Sequence, residues 1–395
     1  MTPAKSANTA VNYDIENEVL ERYKAGAKDV QPSLCCPTSY NGNYLEILPS
    51  EIIEKDYGCG DPTQYINSGE VVVDLGSGAG KNCYIIAQKV GKDGRVIGVD
   101  FNDDMLALSR KYQDEIADKL GYKNTEFVKG KIQDLGLNLA MVQTWLNDNP
   151  ITSIEDVSRF EAMCDRLRQN QPLIPDATVD VVVSNCVLNL VKSQDKVKLF
   201  TEIYRVLKVG GRAVISDIVC DEPPTETIIN DPELWSGCIA GAFQEHEFLQ
   251  MFENAGFYGV EILTRQTEPW QVIDGIEFRS VTVCAYKGKE GPCLERHQAV
   301  IYKGPWKQVV DDDGHTLYRG QPMAVCDKTF NIYTRSPYSD DIIPIPPYQN
   351  IDLKDAKEFD CRQNAIRDPK LTKGENYHVT NINNDESCCS PSSCC

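Results

Sequence analysis

Cysteine is over-represented in this chain, with 16 in 395 residues beside only four histidines. Three of them fall in segments that read as loops: Cys59 in DYGCGDP, Cys186 in SNCVLNL and Cys238 in LWSGCIAGA. Glycines on both sides of Cys59 predict an exposed thiol outside regular packing. No local C-x-x-C pattern links the three, so only the fold could bring them together, and the lack of a fourth nearby ligand argues against structural zinc. Three thiolates converging from three loops would form a trigonal soft-ligand site, which favours thiophilic elements. Trivalent arsenic or antimony accepts three thiolates as a pyramid and keeps a lone pair on the opposite side. Cys83, Cys164, Cys220 and Cys284 lie inside apolar or helical patterns and are expected to be small buried hydrophobes. The terminal CCSPSSCC has no apolar surroundings that could bury it.

A second constellation is VVVDLGSGAGKN at 71–82, a buried strand running into a glycine-rich turn and then a helix. Gly76, Gly78 and Gly80 allow a sharp turn and close approach of a ligand. The following strand, RVIGVD, ends in Asp100, whose carboxylate can accept two hydrogen bonds from ribose hydroxyls. Pyrophosphate cofactors use the helix start beyond such a turn as an anion site. Asp74 in this turn suits a cationic, phosphate-free ligand instead. Neither a G-x-x-x-x-G-K-[ST] phosphate loop nor a G-x-S-x-G elbow is present.

The elements that must position these residues follow from periodicity. Strands are expected at Val71–Leu75, Arg95–Asp100, Thr125–Lys129, Val179–Ser184, Arg212–Asp217, Val260–Leu263 and Val281–Tyr286, alternating with helices as in a mostly parallel sheet covered on both faces. Val11, Ile15, Val19 and Tyr23 predict an amphipathic helix over 11–25, and a second helical stretch lies near 47–55. A polar insertion at 134–176 interrupts the rhythm, with a helix from the Ser153/Asp156 capping box to about Leu167. Four regions result: an N-terminal segment at 1–70 carrying Cys35, Cys36 and Cys59; an α/β domain at 71–287; a small β-rich domain at 288–350; and a polar, Cys-rich tail at 351–395 expected to be poorly ordered.

Composition narrows the function classes. Lys plus Arg number 40 against 59 Asp plus Glu, giving a net charge of −19. Such a chain repels phosphate backbones and anionic bilayers, which disfavours nucleic-acid and lipid-surface roles. No apolar run reaches membrane-spanning length, and the N-terminus lacks the apolar core of a secretory signal. The cysteines are therefore expected as thiols in a reducing, cytoplasmic setting.

With EIYRVLKVGGRAVISD (202–217) adding a helix, a glycine turn and a strand, residues 70–265 resemble the class I S-adenosylmethionine-dependent methyltransferases, a Rossmann-like seven-stranded fold. DYGCGDP, SNCVLNL, the Cys238 segment and FRSVTVCAYKG are together similar to the arsenite S-adenosylmethionine methyltransferases, over roughly residues 30–335. The resemblance implies that Gly76 and Gly78 contact the methionine part of the cofactor and Asp100 its ribose. Phe101, Met105, Ile132 and Gln133 would border the adenine, with Asp74 and Asn185 also at the cofactor site. Tyr57 would face the sulfonium, a cation–π contact. Cys59, Cys186 and Cys238 would bind As(III), with Cys35 or Cys36 as the redox partner of a ligand cysteine. The family pattern has one cysteine where this chain has the pair Cys35-Cys36, and the 134–176 insertion is longer than expected.

The implied reaction needs no general base, because arsenic brings its own lone pair. Its product is pentavalent, so a dithiol must return two electrons, with thioredoxin or glutathione restoring the thiols. Arsenite or its thiol conjugates would be the substrate. A methyltransferase of the same fold acting on an organic acceptor, and a thiol-rich metalloid buffer without catalysis, are the alternatives.

Overall fold

The computed structural model describes residues 14–31, 34, 38–374 and 377. Cys35, Cys36 and the CCSPSSCC tail lie outside the described residues. The chain divides into two compact units, Met1–Gly288 and Lys289–Cys395.

In the first unit, β-branched runs buried on both faces build the sheet expected of class I methyltransferases. Its strands are β1 (Val71–Leu75), β2 (Arg95–Asp100), β3 (Thr125–Lys129), β4 (Val179–Asn185), β5 (Leu207–Cys220), the short β6 (Phe243–Gln244), β7 (Tyr258–Arg265), β8 (Gln271–Ile273) and β9 (Ile276–Tyr286). The main order is β3-β2-β1-β4-β5-β9-β7. The first five run parallel, and β9 is antiparallel to both β5 and β7. Period-two alternation divides the core: Val182 faces Leu199, Phe200, Phe248 and Phe252 on one side, while Val181 and Val183 face Ile85 and Ile86 on the other. The reversal at β4 next to β1 opens the crevice in which such sheets hold ligands.

Several elements run longer than their sequence pattern. β5 extends from Leu207 to Cys220 because β9 pairs with it all the way from Arg212 to Cys220. The first helix, α1, spans Ile15–Lys28, while Val11 lies outside the described residues. The insertion folds into two helices, Leu139–Asp148 and Ile154–Asn170, the second opened by the Ser153/Asp156 capping box. They share a small core of Val142, Met163 and Cys164. Cys83, Cys164, Cys220 and Cys284 are all buried.

The second unit holds a three-stranded antiparallel sheet, Pro322–Ala324, Ala299–Tyr302 and Ile342–Ile345, over a core that includes Val300, Tyr302, Leu317, Met323 and Tyr333. Order continues past residue 350. Lys357–Glu358 pairs with Leu294–Glu295, and Pro369–Lys373 is helical. Buried Arg367 forks onto both Glu295 oxygens at 2.9 and 3.0 Å and donates to the Gln298 carbonyl at 2.9 Å. An ion pair and a backbone ladder hold this stretch, so hydrophobic periodicity gives no sign of it.

Candidate functional site

The glycine-rich turn after β1 is held by backbone hydrogen bonds. The amides of Gly76 and Ser77 donate to the Val99 carbonyl at 2.8 and 3.1 Å. Gly76 has φ +68°, and a Cβ there would lie 2.5 Å from Val187. Gly78, at φ +51°, has open space where a Cβ would stand, so its bare backbone faces a void. Asp100, at the end of β2, accepts the Gly78 and Asn102 amides at 2.8 Å each. Burial pushes its carboxyl up, and these amides with that of Phe101 pull it back.

A cavity of about 150 Å³ opens above this turn. Of the residues singled out in the sequence, Tyr57, Gly76, Gly78, Asp100, Phe101, Met105, Ile132, Gln133, Asn185 and Cys186 line it. α1 contributes Glu16, Val19, Leu20 and Tyr23, a wall that the sequence reveals only as an amphipathic face. Lys131 reaches across to Glu16 at 2.7 Å, and the Asn102 side-chain Nδ2 donates to the Leu20 carbonyl at 3.2 Å.

Asp74 does not line the cavity. It is buried beneath the turn, where the Cys83 thiol donates to it at 3.2 Å. Burial pushes its carboxyl up to about 7, the Cys83 bond opposing and Asp56 and Asp100 adding. The expectation of a carboxylate turned to a cationic ligand is corrected accordingly: the side chain points into the packed layer. Over the span from 3.8 to about 7 the shift is worth about 4 kcal/mol. The folded carboxyl keeps a proton that the unfolded chain releases, so this stability is full below pH 3.8 and is lost as pH rises through about 7. Asp74→Asn is expected to remove that slope and raise stability at neutral pH. Urea unfolding at several pH values checks it, and an unchanged pH dependence would reject the assignment.

The three thiols come together at Cys186, which lines this cavity and contacts the thiols of Cys59 and Cys238. Cys59 is buried, contrary to the expectation of an exposed thiol. Its flanking glycines are required because neighbours fill the space: a Cβ at Gly58 would lie 2.2 Å from Asn185 Nδ2, and one at Gly60 2.6 Å from Ser216 Oγ. Asn185 pins this loop to the end of β4. Its oxygen accepts the amides of Cys59 at 2.9 Å and Gly60 at 3.1 Å, and its nitrogen donates to the Gly60 carbonyl at 2.8 Å and the Tyr40 hydroxyl at 3.0 Å.

Cys186 and Cys238 adopt left-handed backbone, with φ +62° and +64°. For a residue other than glycine such a conformation costs roughly 1–2 kcal/mol and persists where neighbours enforce it. The Cys186 amide donates to the Ser216 carbonyl at 2.8 Å, and the Cys238 thiol donates to the Cys186 carbonyl at 3.0 Å. Contacts with the Cys238 and Cys59 thiols, and burial, hold Cys186 well above the ordinary thiol range. Burial likewise pushes Cys59 up. Cys59 and Cys186 are therefore neutral thiols in the free protein.

Two residues of this cluster were not singled out in the sequence. Asp217, in β5, has a carboxylate oxygen within 4.8 Å of the Cys59 and Cys186 sulfurs. It accepts the Leu188 and Ile218 amides at 2.8 Å each, which fastens the turn carrying Cys186. Burial pushes it up to about 6. Tyr23 of α1 hydrogen-bonds the Cys238 thiol. The one available signal for Asp217 was its place toward the carboxyl end of a parallel strand.

Comparison with known proteins adds to this geometry. A family described as "Methyltransferase domain" matches residues 66–256, and a "Domain of unknown function" matches 289–377. An arsenite methyltransferase of Aquipseudomonas alcaligenes is 30% identical over 78% of this chain and 83% of its own. The human arsenite methyltransferase is 28% identical over 83% and 81%. Among solved structures, an arsenic (III) S-adenosylmethionine methyltransferase from Chlamydomonas reinhardtii is 26% identical, with a TM-score of 0.52 over 84% of this chain and 100% of that one.

Proposed function

Because the chain belongs to the arsenite methyltransferase family, we propose that it methylates trivalent arsenic held by Cys59, Cys186 and Cys238, using S-adenosylmethionine. One observation carries this reading: Cys186 both lines the cavity above the glycine turn and touches the other two thiols.

The cavity suits the cofactor. Gly78 leaves room for close approach, and the buried Ser77 hydroxyl finds no hydrogen-bond partner among the described residues. Gly76 and Gly78 would take the methionine part and Asp100 the ribose hydroxyls. Phe101, Met105, Ile132 and Gln133 would enclose the adenine, with Tyr57 beside the sulfonium. When bound, S-adenosylmethionine supplies an electrophilic methyl group.

Arsenous acid exchanges its hydroxides for the three cysteine sulfurs. Each S–H gives its proton to an arsenic-borne hydroxide, which leaves as water while an As–S bond replaces As–O. Three such exchanges leave the arsenic lone pair opposite the three sulfurs. No base is needed, and the protein's part is to aim that lone pair, positioning worth up to roughly 7–11 kcal/mol. Methyl transfer raises arsenic to the pentavalent state. Two thiols then return two electrons to it and close a disulfide, with Cys35 or Cys36 pairing with Cys59. Thioredoxin or glutathione reopens that disulfide in the reducing cytoplasm.

Arsenite titration of the reduced protein by ultraviolet thiolate absorbance, followed by turnover with speciation of the arsenic products, tests the reading. One tightly bound arsenic at this site and methylated products are expected. Cofactor consumption without arsenite would point to an organic acceptor instead. Unimpaired reduction of pentavalent intermediates in Cys59→Ser would refute the relay.

A further inference from the structure

The second unit carries its own cluster of thiols. The sulfurs of Cys293, Cys326 and Cys361 all lie within 4.8 Å of one another. They come from three separate segments. Cys293 immediately precedes Leu294–Glu295, and its carbonyl accepts the Phe359 amide at 2.9 Å. Cys361 follows Lys357–Glu358, the strand paired with that segment. Cys326 caps the helix Asp327–Tyr333, where its sulfur accepts the Thr329 amide at 3.4 Å and lies 3.1 Å from the Thr329 hydroxyl. The Arg296–Asp327 ion pair at 2.6 Å binds the helix start to the paired strands. Cys326 is fully buried, whereas Cys293 and Cys361 are partly exposed, so the cluster has a built floor and an open side.

From this arrangement we infer that Cys293, Cys326 and Cys361 form a second site for trivalent arsenic, separate from the methylating one. Three sulfurs without a fourth ligand atom among the described residues fit a pyramidal soft centre, whereas structural zinc requires four ligands. Binding exchanges three As–O bonds of arsenous acid for three As–S bonds and releases three waters, with no change of oxidation state. The inference stands on this cluster alone and does not depend on the activity proposed for the first unit. Such a site gives the second unit a holding place for arsenic of its own.

Differential alkylation of the reduced full-length protein with iodoacetamide, resolved by peptide mass spectrometry, tests it with arsenite as the probe. At about ten times the dissociation constant, arsenite is expected to slow alkylation of Cys293 and Cys361 together by roughly tenfold. Cys326→Ser should abolish that protection while arsenite still shields Cys186 and methylation continues. Should Cys326→Ser lose its native circular dichroism, Cys293→Ser read through Cys361 serves the same purpose. Equal rates with and without arsenite would overturn the inference. So would protection that survives loss of either partner cysteine, protection by zinc ions that arsenite cannot displace, or a disulfide already joining two of the three in protein kept under reductant. Because methylation is measured in parallel, failure here is distinct from failure of the first-unit reading.

Discussion

Cys186→Ser is expected to lower arsenite methylation by roughly 10²–10³-fold or more while leaving S-adenosylmethionine affinity within a few-fold of the parent. Serine is slightly smaller than cysteine, so it preserves the cavity wall, but its hydroxyl is a hard ligand that does not replace a thiolate on arsenic. Cys186 is also the central member of the three, in contact with both Cys59 and Cys238. Its loss leaves two thiols that no longer share a neighbour, whereas losing either outer thiol leaves an adjacent pair. Arsenite affinity should therefore fall further for Cys186→Ser than for Cys238→Ser. Initial rates with product speciation, beside calorimetric titration of the cofactor, measure both effects. Unchanged methylation in Cys186→Ser would exclude the three-thiol site.

Asn185→Ala is expected to cost about 2–6 kcal/mol of stability, because it strands the buried amide of Cys59 and the part-buried amide of Gly60 at about 1–3 kcal/mol each. Its effect on methylation should be about 10²-fold, the typical loss when a reacting group moves by roughly 1 Å. Although Asn185 borders the cavity, both its oxygen and its nitrogen are engaged by the Cys59 loop and Tyr40. The two possible roles separate kinetically. A cofactor-binding amide would raise KM for S-adenosylmethionine, whereas a positioning amide lowers kcat and weakens arsenite binding with that KM little changed. Asn185→Asp keeps the acceptor for the two amides and should recover part of the loss. A rise in cofactor KM alone would return Asn185 to the cofactor.

How far the sequence disclosed these features depends on the forces involved. Continuous β-branched runs announce strands buried on both faces, so β1, β2 and β4 were legible nearly to the residue. The glycine turn and Asp100 were legible because backbone sterics and strand ends constrain residue type. The convergence of Cys59, Cys186 and Cys238 is a tertiary fact. Loop settings suggested it, and resemblance to a known family identified it. Asp74 was misread because burial cannot be inferred for a carboxylate beside a glycine turn when its partner, the Cys83 thiol, looks like a core residue. The Gly58 and Gly60 requirement was read as exposure, although steric pressure from Asn185 and Ser216 produces the same residue choice. Beyond residue 350 the fold depends on Arg367 and Glu295, an ion pair whose members are far apart in the chain.

The left-handed backbone at Cys186 and Cys238 also bears on how relatives of this chain should be compared. Glycine and asparagine occupy that region at least expense, so the backbone by itself would favour them at both positions. In the proposed arsenic site, it is the need for sulfur that keeps cysteine there. A lineage released from arsenic chemistry should therefore drift to glycine or asparagine at 186 and 238 without disturbing the fold. Identity at these two positions then reports retained activity more sharply than overall similarity does.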